Sequence, residues 1–145
     1  MFKFTVRSAS YYDFHTIYKL STEQLGSSMS LEKMKLVYDH IMSCGDQAVI
    51  LAIHSNHAAG YIHVRTDHDL LTSSSAHIYS YAYFEYYKDK GILNYLFGAA
   101  EKWSVQMDVQ YINIVLRPEF LKDKDFLLKN QYIQNSESPL FEKRL

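Results

Sequence analysis

The sequence predicts an α+β fold: a mixed, mostly antiparallel central sheet flanked by about four helices, in the order β-α-α-β-β-β-α-β-α-β-β. Three observations carry this prediction. Apolar residues recur at helical spacing in two long stretches, Leu31 to Ile41 and Ile92 to Met107. Short segments rich in Val, Ile and Tyr, bounded by Gly, Asn, Asp and Ser, read as strands. Between residues 76 and 116 a strand, a turn, a long helix and a strand follow one another, which is the pattern of one parallel crossover.

Taken in order, Phe2 to Val6 alternates as a first strand. Ser10 caps a helix, with Asp13 at the acid position of a capping box and Phe14, Ile17, Tyr18 and Leu20 on its apolar side. Gly26-Ser27-Ser28 breaks that helix. Ser30 and Glu32 open a second, in which Leu31, Met34, Val37, Tyr38 and Ile41 share one face, and Cys44-Gly45-Asp46 ends it. Ala48–Ile53 and Ala58–Val64 flank Ser55-Asn56-His57 as a hairpin, and a polar loop spans Asp67 to Ser75. Ala76–Tyr86 is the fourth strand. Lys90 to Met107 is a helix with Ile92, Leu96, Ala99, Ala100, Trp103 and Met107 as its stripe, and Val109–Leu116 is a continuous apolar strand of the buried kind. Pro118 opens a helix reaching to about Lys129, and Tyr132-Ile133 and Leu140-Phe141 mark two last strands.

Residues 1–145 form one domain on length and composition, with 48% apolar and 21% charged residues. A formal net charge of −1 with both signs dispersed excludes a general nucleic-acid binder, which would carry a basic face. The single cysteine, Cys44, rules out an intrachain disulfide and a cysteine-built zinc site. No stretch approaches the roughly 18 apolar residues of a membrane helix, and MFKFTVRSAS has no leader pattern, so the expected location is cytoplasmic and away from membranes. His63, Asp67, His68 and Asp69, and His54 with His57, lack a firm ligand spacing, so no metal ligands are assigned. No G-x-S-x-G elbow is present.

The stretch YYKDKGILNYLF, residues 86–97, carries the chemistry. A tyrosine-rich strand enters a short polar turn with one glycine, and a helix follows at once. Such a turn aims backbone N–H groups at an anion, and the helix N-terminus adds partial positive charge.

Other short patterns stand at matching distances along nearly the whole chain: Val6-Arg7-Ser8-Ala9-Ser10 with Asp13, Ala59-Gly60-Tyr61-Ile62, Glu101-Lys102-Trp103 and Phe141-Glu142-Lys143-Arg144-Leu145. Together with the turn they resemble the GNAT superfamily of acyl-CoA-dependent N-acetyltransferases. The resemblance implies acetyl transfer from acetyl-CoA to an amine of a small molecule or protein. The chain is expected to be a monomer or a homodimer, the latter paired by sheet extension through an exposed last strand. The family's [RQ]-x-x-G-x-[GA] signature, which holds the CoA pyrophosphate, falls on Lys88, Asp89, Lys90, Gly91, Ile92 and Leu93. Asn94 completes the implied backbone cradle, and backbone groups at Ala82 and Tyr83, beside a bulge, would pair with the pantetheine arm. Only Gly91 matches in full. Lys88 keeps a charge but not the arginine fork, Asp89 puts a carboxylate near the phosphates, and Leu93 replaces a small residue.

The resemblance also implies a general base near the end of the fourth strand, where Glu85 is the candidate, and an acid for the leaving thiolate. The family's fourth-helix pattern lies on Asp123 to Tyr132, with Leu127 at its tyrosine and Gln131 at its glycine, which leaves Tyr132 or water as the acid. Arg117 stands where some relatives carry an arginine. The departures at Asp89, Leu93, Leu127 and Gln131 define an alternative, a binding or regulatory module that keeps the fold with weak or no CoA binding.

Overall fold

A computed structural model describes residues 2–68, 70, 74–134 and 140–145. Its strands are β1 (Thr5–Ser8), β2 (Gln47–His54), β3 (His57–Asp67), β4 (Ser75–Tyr83), β5 (Tyr111–Val115), β6 (Ile133–Gln134) and β7 (Leu140–Arg144). Its helices are α1 (Phe14–Leu25), α2 (Leu31–Ser43), α3 (Ile92–Gln106) and α4 (Lys124–Lys129), so the element order is the one expected. The strands form one seven-stranded sheet in the order β1-β2-β3-β4-β5-β7-β6. Among the described residues only β4 and β5 pair in parallel, because α3 carries the chain back across one face between them.

The two faces bury separate cores. One gathers Phe14, Ile17 and Leu20 of α1 and Tyr38 of α2 over Val49, Leu51, Tyr61 and Ala82. The larger one packs Ile92, Leu96, Phe97 and Ala100 of α3 and Leu127 of α4 against Ile62, Val64, Ile78, Ile112 and Phe141. Strands β2 to β4 are therefore covered on both sides, the arrangement their near-continuous apolar runs require.

Local signals act where they were expected. The Ser10 N–H donates to Asp13 Oδ2 at 2.8 Å, closing the capping box on a 3-10 turn, Tyr11–Asp13, that runs into α1, and Arg7 grips the same carboxylate with two guanidinium nitrogens at 2.8 and 3.0 Å. That pairing holds the Asp13 carboxyl below its usual range. The Ser30 hydroxyl accepts from the Lys33 N–H and caps α2.

Some expectations need correction. β1 begins at Thr5, although Phe4 is still buried. The apolar face expected on α2 fully buries Tyr38, whose hydroxyl donates to the Ser10 carbonyl at 2.6 Å, and packs Met34 and Ile41 against the smaller core, while Leu31 and Val37 stay exposed. The helix expected from Pro118 is split into a 3-10 segment, Pro118–Asp123, and the short α4. The last strand is not the free sheet edge, because β6 covers Phe141 and Glu142. Residues 69 and 71–73 of the expected polar loop, Asp69 included, lie outside the described residues. Among the described residues no helix is long and apolar enough to cross a membrane.

Candidate functional site

Site geometry begins where β4 and β5 part. Their parallel pairing covers only Ser75–Ile78 with Tyr111–Ile114, whereas β3 stays paired along β4 as far as Tyr83. His63 faces Ser80 but Val64 faces Ile78, so Tyr79 is an extra, bulged residue at the parting point. The bulge lies three residues before Ala82, earlier than the resemblance implied. It also explains the pattern of β4: Ala76 and Ile78 face the larger core before the bulge, Tyr81 and Tyr83 after it. Beyond Ile78 the β5-facing edge of β4 has no strand partner among the described residues. Such an edge offers backbone N–H and C=O groups to an extended chain of amides.

The edge leads into the turn. The strand ends at Tyr83, and the Phe84 N–H donates to the Ala59 carbonyl at 2.9 Å. A 3-10 turn over Glu85–Tyr87 follows, so Glu85 sits beyond the strand end, 66% exposed and 3.9 Å from the Lys88 ammonium. Gly91 adopts φ 81°, a left-handed conformation natural to glycine, and α3 begins at the next residue. Lys88, Asp89, Lys90 and Asn94 are exposed around the turn, while Ile92 is buried. Leu93 packs against the larger core, so its side chain is committed to the helix's packing. Gly60 on β3 makes the close approach possible, since a Cβ there would lie 2.6 Å from the Ala82 oxygen and 3.1 Å from Ile92 Cδ1.

On the larger-core side, the Pro118–Asp123 segment straps across the unpaired part of β4. Tyr81 donates its hydroxyl to Asp123 Oδ2 at 2.7 Å, Tyr83 reaches Oδ1 at 3.4 Å, and the Phe120 ring stacks on Tyr81 at 4.5 Å. Burial, reinforced by the Asp123 charge, raises both phenol pKa values, so both hydroxyls keep their protons. The crevice left between strap and strand, beside Ala82 and Tyr83, holds only about 10 Å³, room for roughly one water.

The other face opens into a cleft of about 770 Å³ between the α1–α2 loop, β3, β4 and the start of the strap. Tyr61 Oη shares hydrogen bonds with Ser21 Oγ at 2.9 Å and Ser80 Oγ at 3.3 Å, forming a chain of hydroxyls in its wall. Lys33, Arg117 and Glu119 bring charge to it. Neither Glu85 nor Tyr132 lines this cleft. Tyr132, the expected acid, is 1% exposed in the larger core. Its hydroxyl donates to Glu101 Oε2 at 3.0 Å, and Lys143 holds the other oxygen of that carboxylate at 2.6 Å. Burial, with the Glu101 charge, raises its pKa. Leu127 is fully buried, and Gln131 occupies the family's glycine position with a left-handed φ of 70°.

Sequence reasoning missed Asp123, Glu119 and the Ser21–Tyr61–Ser80 chain. The i, i+2 pair of Tyr81 and Tyr83 was the one signal that two phenols need a common buried acceptor. Among the described residues no group of three or more His, Cys, Asp or Glu side chains is arranged to hold a metal ion. His63 instead donates from Nε2 to Gln47 Oε1 at 2.8 Å.

No protein-family model and no curated protein matches the sequence. Solved structures do match. The PaiA N-acetyltransferase of Thermoplasma acidophilum, in complex with coenzyme A, aligns with a TM-score of 0.77 and 16% identity, covering 99% of each chain. A transcriptional regulator from Bacillus halodurans aligns at 0.82 and 17% identity, over 94% of this chain and 97% of its own. An acetyltransferase of the GNAT family from Streptococcus pneumoniae aligns at 0.76 and 14% identity, over 99% of each. At such identities the likeness is one of fold. The chain has the fold of the GNAT acetyltransferases.

Proposed function

We propose that the chain is an acyl-CoA-dependent N-acetyltransferase acting on an amine of a small molecule or peptide. One observation carries the reading: an unpaired strand edge, opened by the Tyr79 bulge, runs directly into a glycine turn at the N-terminus of the 15-residue α3. Within Lys88–Asn94 the N–H groups of Lys88, Lys90 and Asn94 already donate to the Glu85, Tyr87 and Gly91 carbonyls, so those of Asp89, Gly91, Ile92 and Leu93 are the ones that suit a pyrophosphate, helped by the helix dipole and the Lys88 charge. Backbone groups of Ala82 and Tyr83 suit the amides of a pantetheine arm. Acetyl-CoA, when bound, supplies an acetyl group activated as a thioester.

The chain's own part is mainly positioning, which accounts for much of the rate in such reactions. Glu119, in the cleft, is the carboxylate we place beside the amine as proton acceptor, in preference to Glu85 on the far turn. The hydroxyls of Ser21, Tyr61 and Ser80 orient the acceptor at the parting of β4 and β5.

A second reading is favoured by the strap. With space for about one water beside Ala82 and Tyr83, the crevice admits a pantetheine arm only if Pro118–Asp123 moves. Were the strap fixed, the chain would be a binding or regulatory module of the same fold. Calorimetry with acetyl-CoA separates the two readings. Micromolar binding with release of free thiol in the presence of amines supports the enzyme, and absence of binding or thermal stabilisation at millimolar ligand sinks it.

A further inference from the structure

We infer that the cleft selects an acceptor bearing a carboxylate next to its amine, an amino acid or a compound of that zwitterionic class. The inference rests on the acyl-transfer reading only in calling this ligand an acceptor. At about 770 Å³ the cleft has the size of a small-molecule site, roughly 300–1,000 Å³. Its charged lining is Lys33 from α2 and Arg117 and Glu119 from either side of Pro118.

Elsewhere some charges are taken up in pairs: Arg7 with Asp13, Lys35 with Asp39, Arg65 with Asp67 and Lys143 with Glu101. Among the described residues Lys33, Arg117 and Glu119 enter no such pair. These three exposed charged groups line one concavity and are free to meet a ligand there. Their signs decide what can use them. A polyamine or an aminoglycoside would face two cations and one carboxylate, a repulsive wall. A plain amine would use Glu119 and leave both cations idle. A carboxylate beside the amine engages all three, with the planar Arg117 fork suited to two parallel hydrogen bonds. Pro118 fixes the backbone between Arg117 and Glu119, so a single stiff segment presents the carboxylate clamp and the amine-facing acid together.

The test uses the full chain and three probes: L-leucine, L-leucinamide and spermidine. Titration calorimetry without donor should show L-leucine binding about tenfold or more tighter than L-leucinamide, the loss expected for a charge-assisted pair, with spermidine weaker still. Arg117→Gln should erase the acid-over-amide preference, and Lys33→Gln should weaken L-leucine several-fold. Lys102→Ala, on the opposite side of the sheet, should change nothing. Equal binding of acid and amide, preference for spermidine, or no binding of any probe at tens of millimolar overturns the inference. Acetyl-CoA calorimetry reports on the enzyme reading independently. Donor binding without probe discrimination overturns the inference alone, and probe discrimination without donor binding supports the cleft assignment while removing the acyl-transfer reading.

Discussion

The Tyr81 hydroxyl donates to Asp123 at 2.7 Å across the point where β4 has already left β5, and this bond closes the crevice beside the unpaired strand edge. Breaking it has two opposing effects. Asp123→Ala leaves two buried phenols without an acceptor and should cost about 1–3 kcal/mol, seen as a lower urea midpoint. The same change releases the strap, and a closed state that must open lowers apparent affinity by the open fraction. Asp123→Ala should therefore bind acetyl-CoA several-fold more tightly by calorimetry. Unchanged or weaker binding would show that the strap is not the obstruction.

Gly91 holds φ 81° at the first helix boundary of α3, and the nearest atom to an added Cβ is Asn94 Nδ2 at 3.9 Å. Space is therefore available, and the penalty of Gly91→Ala is conformational, about 1–2 kcal/mol. The circular dichroism spectrum should be retained while acetyl-CoA affinity drops at least several-fold, because the turn's N–H groups are re-aimed. Retained affinity would dissociate the turn from phosphate binding.

Gly60→Ala tests a different constraint. Its Cβ would stand 2.6 Å from the Ala82 oxygen and 2.9 Å from Tyr83 Cβ, both parts of a strand that cannot yield cheaply. A loss of about 3 kcal/mol or more is expected in urea unfolding, at the upper end for overpacking. A loss under about 1 kcal/mol would mean that β3 and β4 slide apart freely.

Gln131 keeps the left-handed conformation of a helix C-terminus without being glycine, φ 70°, with the Tyr132 N–H donating to the Leu127 carbonyl at 3.0 Å. Gln131→Gly removes the steric cost and adds chain entropy to the unfolded state. A net gain of about 0.5–1 kcal/mol is expected, read as a higher urea midpoint. A lower midpoint would reveal a stabilising role for the glutamine side chain.

His63 is held neutral. Burial, and secondarily the Arg65 charge, depresses its pKa from the usual 6.5 to about 4. Between those values the unfolded chain binds a proton that the folded chain refuses, so this group's effect is a loss of stability as pH falls from 6.5 to 4. The full effect is on the order of 3 kcal/mol. His63→Gln should flatten the stability profile in that window relative to the natural sequence. An equal slope in both proteins would place the protonation elsewhere.

The Tyr79 bulge illustrates what patterning can and cannot reveal. Apolar positions step from Ala76 and Ile78 to Tyr81 and Tyr83, a slip of one residue that marks a bulge in principle, yet the run of tyrosines hides which face each one takes. Leu93 was legible as a departure in sequence, but that its side chain belongs to the core follows from where α3 lies. That the Tyr132 hydroxyl meets Glu101, 31 residues away, follows only from how the chain packs.

The sequence by itself determined the order of elements, the parallel crossover, the capping box on the 3-10 turn Tyr11–Asp13 that leads into α1, the cap of α2 and the glycine turn at the start of α3. These depend on neighbours along the chain, through hydrogen-bond period, caps and allowed backbone angles. Only the tertiary structure decided that Asp123 latches onto Tyr81, 42 residues away, that Tyr132 is buried, and that Lys33, Arg117 and Glu119 meet in one cleft. Such meetings are set by how helices and strap pack on a particular twisted sheet, and no local periodicity encodes them.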